Sequence, residues 1–212
     1  MKLPEIIIVT IIWIPLMRTF IAVEIHNDSI LNSIAKLQAD FKIKATPVNK
    51  QNMHFTLFFL GEISEESVGS VEKVLSSIEF KPIDIRFTHV GAFPNPWFPR
   101  VIWLGVNEKA SNQLIDLARL VEKRLELLGF KSDKLFKPHL TILRIKNKYD
   151  VTQILDKFKI IDIGNEVVTE LKFKQSVLTP NGPIYSDLQV ILAKWIELWN
   201  VQKKSRFLKN EK

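Results

Sequence analysis

A tetrapeptide pattern, His-x-Thr-aliphatic, occurs twice in this chain, as His54-Phe55-Thr56-Leu57 and His139-Leu140-Thr141-Ile142. Both copies lie in apolar, aromatic-rich runs that read as strands. Each is followed, ten or eleven residues on, by a helix-start residue, Ser64 in one case and Asp150 in the other. The echo predicts two similar strand–loop–helix units, one per half of the chain, with the motifs on adjacent strands of one cleft. Alternate residues of a strand share a face, so each motif aims an imidazole and a hydroxyl together while Phe55 and Leu140 point into packing.

The remaining elements follow from periodicity and capping residues. Residues 18–25 read as a strand, and Asp28 or Ser29 caps a helix to about Ala39 with Ile30, Leu31, Ile34 and Leu37 on its buried face. The strand at 53–60 is ended by Gly61, and the helix from Ser64 opens with acidic Glu65 and Glu66, as the helix dipole favours. Strands are predicted at 83–88, 101–106, 138–145, 166–178 and 184–192, the last two joined by the turn Pro180-Asn181-Gly182-Pro183. A long helix at 110–128 stops at Gly129, and a short one runs from Asp150 to about Phe158. Interleaved helices and strands without a Gly-rich phosphate loop argue for an α+β fold and against a nucleotide-binding doubly wound sheet.

The ends read differently. Residues 1–16 carry a nearly unbroken apolar run from Ile6 to Leu16 behind Lys2. The run is about half the length of a membrane-crossing helix and no small-x-small cleavage site follows it. It reads as an apolar extension, from an upstream start codon or signal-like; residues 17–195 form the domain, and 196–212 a basic tail.

The chain has no cysteine, which removes disulfides, thiolate nucleophiles and Cys-based metal sites and fits a reducing, cytoplasmic setting. Its net charge of +7 leans toward an anionic partner.

Two histidines can cleave a phosphodiester without a metal, one taking a proton from the attacking oxygen and one giving a proton to the leaving oxygen. An ordinary pKa of about 6.5 lets them hold opposite protonation states near neutral pH. The Thr56 and Thr141 hydroxyls can hydrogen-bond phosphate oxygens. A lone strand histidine is ordinarily a hydrogen-bonded core residue; duplication of both residue types is hard to explain by packing. His26 and His89 lack the pattern and read as surface or structural. No carboxylate stands at ligand spacing beside either motif, so a metal site is the weaker reading.

The segments Arg18-Thr19-Phe20-Ile21-Ala22-Val23, His54-Phe55-Thr56-Leu57-Phe58-Phe59-Leu60-Gly61 and Pro138-His139-Leu140-Thr141-Ile142-Leu143-Arg144 resemble the RNA 2′,3′-cyclic phosphodiesterase family. That family was first named for 2′-5′ RNA ligase activity and belongs to the two-histidine phosphoesterase superfamily. Gly91-Ala92-Phe93-Pro94, Pro99 to Val106, Leu127 to Phe130, Ser176 to Leu178 and Gly182 to Tyr185 are similar to family segments in the same order, over about residues 17–192.

The resemblance implies a bilobal fold: two antiparallel sheets facing a central cleft, helices packed outside, and lobes related by a pseudo-twofold. It implies hydrolysis of 2′,3′-cyclic phosphate RNA ends to 2′-phosphomonoesters with no cofactor and no metal. His54 is then the proton donor and His139 the proton acceptor. Thr56 and Thr141 hold the phosphate, and the same apparatus supports 2′-5′ ligation. The implied partner is RNA with a cyclic phosphate end, tRNA fragments included, met by a monomer without stable membrane association.

The resemblance implies a phosphate-binding role for Arg144, which otherwise reads as a solvated arginine at a strand end; strict alternation puts it opposite His139 and Thr141, so the strand must end or bulge to bring it to phosphate. Phe93 and Tyr185 can stack on a base or belong to the core. Lys131, Lys134, Lys137, Lys146 and Lys148 can attract RNA backbone or be a solvated face. Two other functions stay open: an RNA-binding module without turnover, and a phosphodiesterase of a small cyclic phosphate.

Overall fold

A computed structural model describes residues 15–195 apart from 148 and 181. The expected tail at 196–212, Lys148, Asn181 and all but the end of the apolar extension lie outside the described residues. Among the described residues no helix is long and apolar enough to cross a membrane.

Among the described residues, nine strands form two antiparallel sheets. The first has the order β3-β1-β8-β9, built from β1 (Leu16–Glu24), β3 (His54–Ser64), β8 (Glu170–Thr179) and β9 (Gly182–Leu192). The second has the order β2-β6-β5-β4-β7, built from β2 (Thr46–Pro47), β4 (Ile83–Phe93), β5 (Val101–Val106), β6 (Leu140–Arg144) and β7 (Asn165–Val168). The halves repeat one plan: β1, helix α1 (Asp28–Asp40), β3 and helix α2 (Glu65–Leu75) in one; β5, helix α3 (Glu108–Leu125), β6 and helix α4 (Thr152–Lys157) in the other. In each, the first strand pairs antiparallel with the motif strand. The motif strands therefore occupy equivalent places in separate sheets. The two strands approach each other across the sheets.

Local chemistry sets the element ends. The cap of α1 is Asn27, one residue earlier than expected, because its Oδ1 accepts from the backbone of Ser29 and Ile30 at 2.9 and 3.3 Å. Ile30, Leu31, Ile34 and Leu37 are buried as their spacing predicts. Ser64 caps α2 by accepting from Ser67 N–H. Gly129, at φ +84°, closes the short 3₁₀ turn that follows α3. Gly61 bends β3 at φ +82° without ending it, since pairing with β1 carries on to Leu16 opposite Ser64.

The predicted strand at 166–178 is two strands. β7 pairs with β4 in one sheet, and β8 pairs with β1 and β9 in the other, so the chain crosses between sheets at Thr169. A continuous apolar core fills the interior, with Ile21, Phe55, Phe87, Ile102, Leu140 and Phe173 fully buried. It supports both motif strands from beneath.

Candidate active site

Both motifs alternate as their spacing requires: Phe55 and Leu140 are buried while His54, Thr56, His139 and Thr141 are half-buried. The two imidazoles are anchored alike. His54 Nδ1 lies 2.9 Å from the Asn52 carbonyl and His139 Nδ1 2.6 Å from the Lys137 carbonyl, each two residues upstream. A carbonyl oxygen only accepts, so each Nδ1 carries the proton and donates, which leaves each Nε2 as the reactive nitrogen.

Each ring also has an aromatic setting. His54 lies 5.1 Å from Phe20 and 5.3 Å from Tyr185, the latter edge-on. His139 meets Phe93 edge-on at 5.1 Å and Trp103 at 6.4 Å. Phe20 and Trp103 sit on the equivalent strands β1 and β5.

Burial is the largest influence on both histidines. It disfavours the imidazolium and pushes His54 down to about 4, against the opposing pull of the Asn52 carbonyl and Glu24. Lys174 and Arg144 push the same way as burial. His139 is also lowered by burial, opposed by the Lys137 carbonyl.

Arg144 is where pairing overrides strict alternation. On β5 Ile102 and Trp103 are consecutive, but their partners on β6 are Leu143 and Thr141, so Ile142 is an extra, bulged residue. Ile142 and Leu143 are both buried, and the bulge returns Arg144 to the face of Thr141. The Ile142 carbonyl accepts from Val48 N–H at 2.9 Å and from the Gln38 amide at 2.7 Å. Gln38 therefore holds the bulge that aims Arg144. β3 carries the same device, with Leu57 the extra residue between Thr56 and Phe58 opposite Ala22 and Ile21. By this equivalence Phe59 occupies in the first half the place that Arg144 occupies in the second.

Two cavities adjoin at Thr56 and Phe59, which line both. The first, about 380 Å³, is lined by His54, Arg18, Phe20, Arg144, Ser176 and Tyr185, among others. The second, about 870 Å³, contains His139, Phe58, Phe93, Phe136, Lys134 and Lys137, among others. Thr141 is not among the lining residues of either cavity. Of the five lysines proposed to attract RNA, Lys134 and Lys137 line a cavity and Lys131 and Lys146 do not. No cluster of three or more His, Asp or Glu that could hold a metal occurs among the described residues.

Sequence reasoning missed Arg18, Phe20, Phe59, Trp103, Ser176 and Gln38. Their signals are non-local. His26 and His89 are both exposed, His26 beside Glu24 and Glu170 and His89 edge-on to Trp103 at 5.6 Å.

Two like-anchored histidines beside arginine- and threonine-lined cavities, at the meeting of two equivalent half-folds, suit a phosphoester substrate. The LigT like Phosphoesterase model matches twice, at residues 23–103 and 104–185, and the chain belongs to that family. An RNA 2′,3′-cyclic phosphodiesterase of Archaeoglobus fulgidus is 44% identical over 82% of this chain and 99% of its own length. One from Methanocaldococcus jannaschii is 39% identical over 80% and 96%. The crystal structure of apo E. coli LigT superposes with a TM-score of 0.71 at 24% identity, covering 85% of this chain and 99% of that one. The protein is a phosphodiesterase enzyme.

The ring stack behind His139 gives one expected result. A Cβ at Gly91 would lie 2.2 Å from the Trp103 indole, so Gly91→Ala must displace that ring and with it the tilted contact on Phe93 and the edge contact on His139. A misplacement of about 1 Å costs on the order of a hundredfold in rate. Turnover is expected to fall at least tenfold, with an altered tryptophan fluorescence spectrum. Unchanged turnover in the folded variant would show that the stack does not position His139.

Proposed function

We propose that the protein hydrolyses 2′,3′-cyclic phosphate ends of RNA to 2′-phosphomonoesters by paired-histidine acid–base catalysis. The observation that carries this reading is the shared anchoring of His54 and His139, Nδ1 on a carbonyl, with their cavities meeting at Thr56. The names of the relatives support the choice of substrate.

In this reading His139 Nε2 removes a proton from water as the oxygen attacks phosphorus. The bond from phosphorus to the 3′ oxygen breaks, and His54 Nε2–H protonates that oxygen, leaving the phosphate on the 2′ position. Thr56, Thr141 and Arg144 hold the phosphate, the last as a bidentate donor. Tyr185 and Phe93 offer aromatic surface to a base. The catalytic unit is residues 17–195, acting as a cytoplasmic monomer without metal or cofactor.

The test is incubation with an oligoribonucleotide ending in 2′,3′-cyclic phosphate in the presence of chelator. Full turnover to a 2′-phosphate is expected. A 3′-phosphate product, or activity lost to chelator and restored by a divalent ion, would overturn the mechanism.

The pH profile carries a second test. The competent state has His54 protonated and His139 neutral, while burial holds His54 near 4 and His139 below 6.5. That state peaks between the two values, so the bell of kcat/KM, which reports the free enzyme, should be centred below pH 6.5. A maximum at alkaline pH would contradict these assignments.

A second reading, 2′-5′ ligation, is favoured by the cavity beside His139. At about 870 Å³ it far exceeds the roughly 30 Å³ of one water. A nucleoside bearing a 5′-hydroxyl can take the place of water there, and cleavage of the resulting linkage runs the two histidine roles in reverse.

A further inference from the structure

The His54 cavity holds more positive charge than the proposed reaction uses. A cyclic phosphodiester carries one negative charge, and Arg144 with Thr56 suffices for it. Yet a second guanidinium, Arg18 on β1, lines the same cavity. Neither arginine is ion-paired with a carboxylate among the described residues, although Glu62 is the cross-strand neighbour of Arg18. The Arg18 guanidinium lies 4.9 Å from the centre of the exposed Phe59 ring, which orients it by a cation–π contact. Phe59 is the counterpart of Arg144, so the first half presents a guanidinium borne on a ring where the second presents one directly.

On β1 Arg18 pairs with Glu62 whereas Glu24 pairs with His54, so Arg18 is rooted near the opposite end of the strand from the imidazole, with Tyr185, Leu178 and Pro183 lining the same cavity as apolar walls for a nucleoside.

We infer that Arg18 binds a second phosphate of the substrate, the 5′-phosphate of the nucleotide that bears the cyclic phosphate, and so selects RNA chain ends over free nucleoside cyclic phosphates. The inference rests on the proposed function and deepens it: the 3′-terminal nucleotide of a chain carries that phosphate as its link to the preceding residue, and a free nucleoside cyclic phosphate lacks it. An Arg–phosphate contact is charge-assisted and bidentate, which suits this task.

Calorimetric titration of the full chain with adenosine 2′-monophosphate and adenosine 2′,5′-bisphosphate tests it without requiring turnover. The bisphosphate is expected to bind about tenfold more tightly to the wild type, a difference of about 1.4 kcal/mol. In Arg18→Gln the ratio of the two Kd values should collapse to about one, and Arg18→Lys should restore part of it. Melting temperatures check that both variants fold; Arg18 is exposed, so neither substitution opens the core. Equal affinities in the wild type, or a preference that survives Arg18→Gln, overturn the inference. Equal affinities together with turnover of cyclic-phosphate RNA reject the Arg18 assignment alone. Neither binding nor turnover rejects the parent reading and this inference with it.

Discussion

His54→Ala and His139→Ala are each expected to lose hydrolysis of RNA 2′,3′-cyclic phosphate by about a hundred- to ten-thousandfold while remaining folded. The size follows from the roles, since a positioned acid and a positioned base each contribute on that scale. Folding should survive because both rings line cavities at the edge of the core and do not fill it. The variants should then part company on a substrate with a better leaving group at the cleaved oxygen. Such a substrate needs less protonation as its bond to phosphorus breaks, so it should rescue His54→Ala strongly. The attack of water is no easier, so His139→Ala should recover little. Equal rescue would mean that the roles are shared, and preferential rescue of His139→Ala that they are exchanged. Full activity in either variant would remove that histidine from the chemical step.

The features legible in the sequence are those fixed by residues close together in the chain. His-x-Thr needs only the two-residue period of a strand, and its repetition announces two equivalent halves. The caps and stops at Ser64 and Gly129 are likewise local. Arg144 lay beyond that logic because its direction depends on the Ile142 bulge. That bulge is held by Gln38, whose amide reaches the Ile142 carbonyl across 104 positions of sequence. Residues 166–178 read as one strand because strand formers stand on both sides of Thr169. The choice of β4 for one half and of β1 and β9 for the other is made by pairing, which leaves no mark on periodicity. The alternating charges Glu170, Lys172 and Lys174 ordinarily mark a solvated face. Here two of them are buried, because Glu24 and Asp187 arrive from the flanking strands.

Those charges carry a large stability effect expected of a single change. Lys172 Nζ lies 2.7 Å from Glu24 and 2.9 Å from Asp187, and Lys174 bonds the other oxygens of the same two carboxylates. Lys174 is only 4% exposed, and Glu24 pairs across the sheet with His54, so this ring of four charges is the floor beneath the imidazole. Burial works against each carboxylate, but the lysines outweigh it and hold Glu24 and Asp187 below their ordinary 4.5 and 3.8. Lys174→Met leaves both carboxylates to share Lys172, and breaking a buried pair from one side costs about 3 kcal/mol or more.

The pH dependence separates charge from packing. The contribution of the carboxylates is fully present above their unfolded values and is lost as pH falls through the lower folded ones. His54, neutral when buried, adds a loss of stability as pH falls from 6.5 to about 4. Removing Lys174 weakens both effects, so urea melts should show the penalty of Lys174→Met large at pH 7 and shrinking toward pH 4. A penalty that stays constant would assign the role of Lys174 to packing of its methylenes. The catalytic readout must move as well. Lys174 disfavours the His54 imidazolium and Glu24 favours it, so with the lysine gone the optimum of kcat/KM should shift to higher pH. A stability loss without that shift would leave the ring a purely structural feature of the sheet.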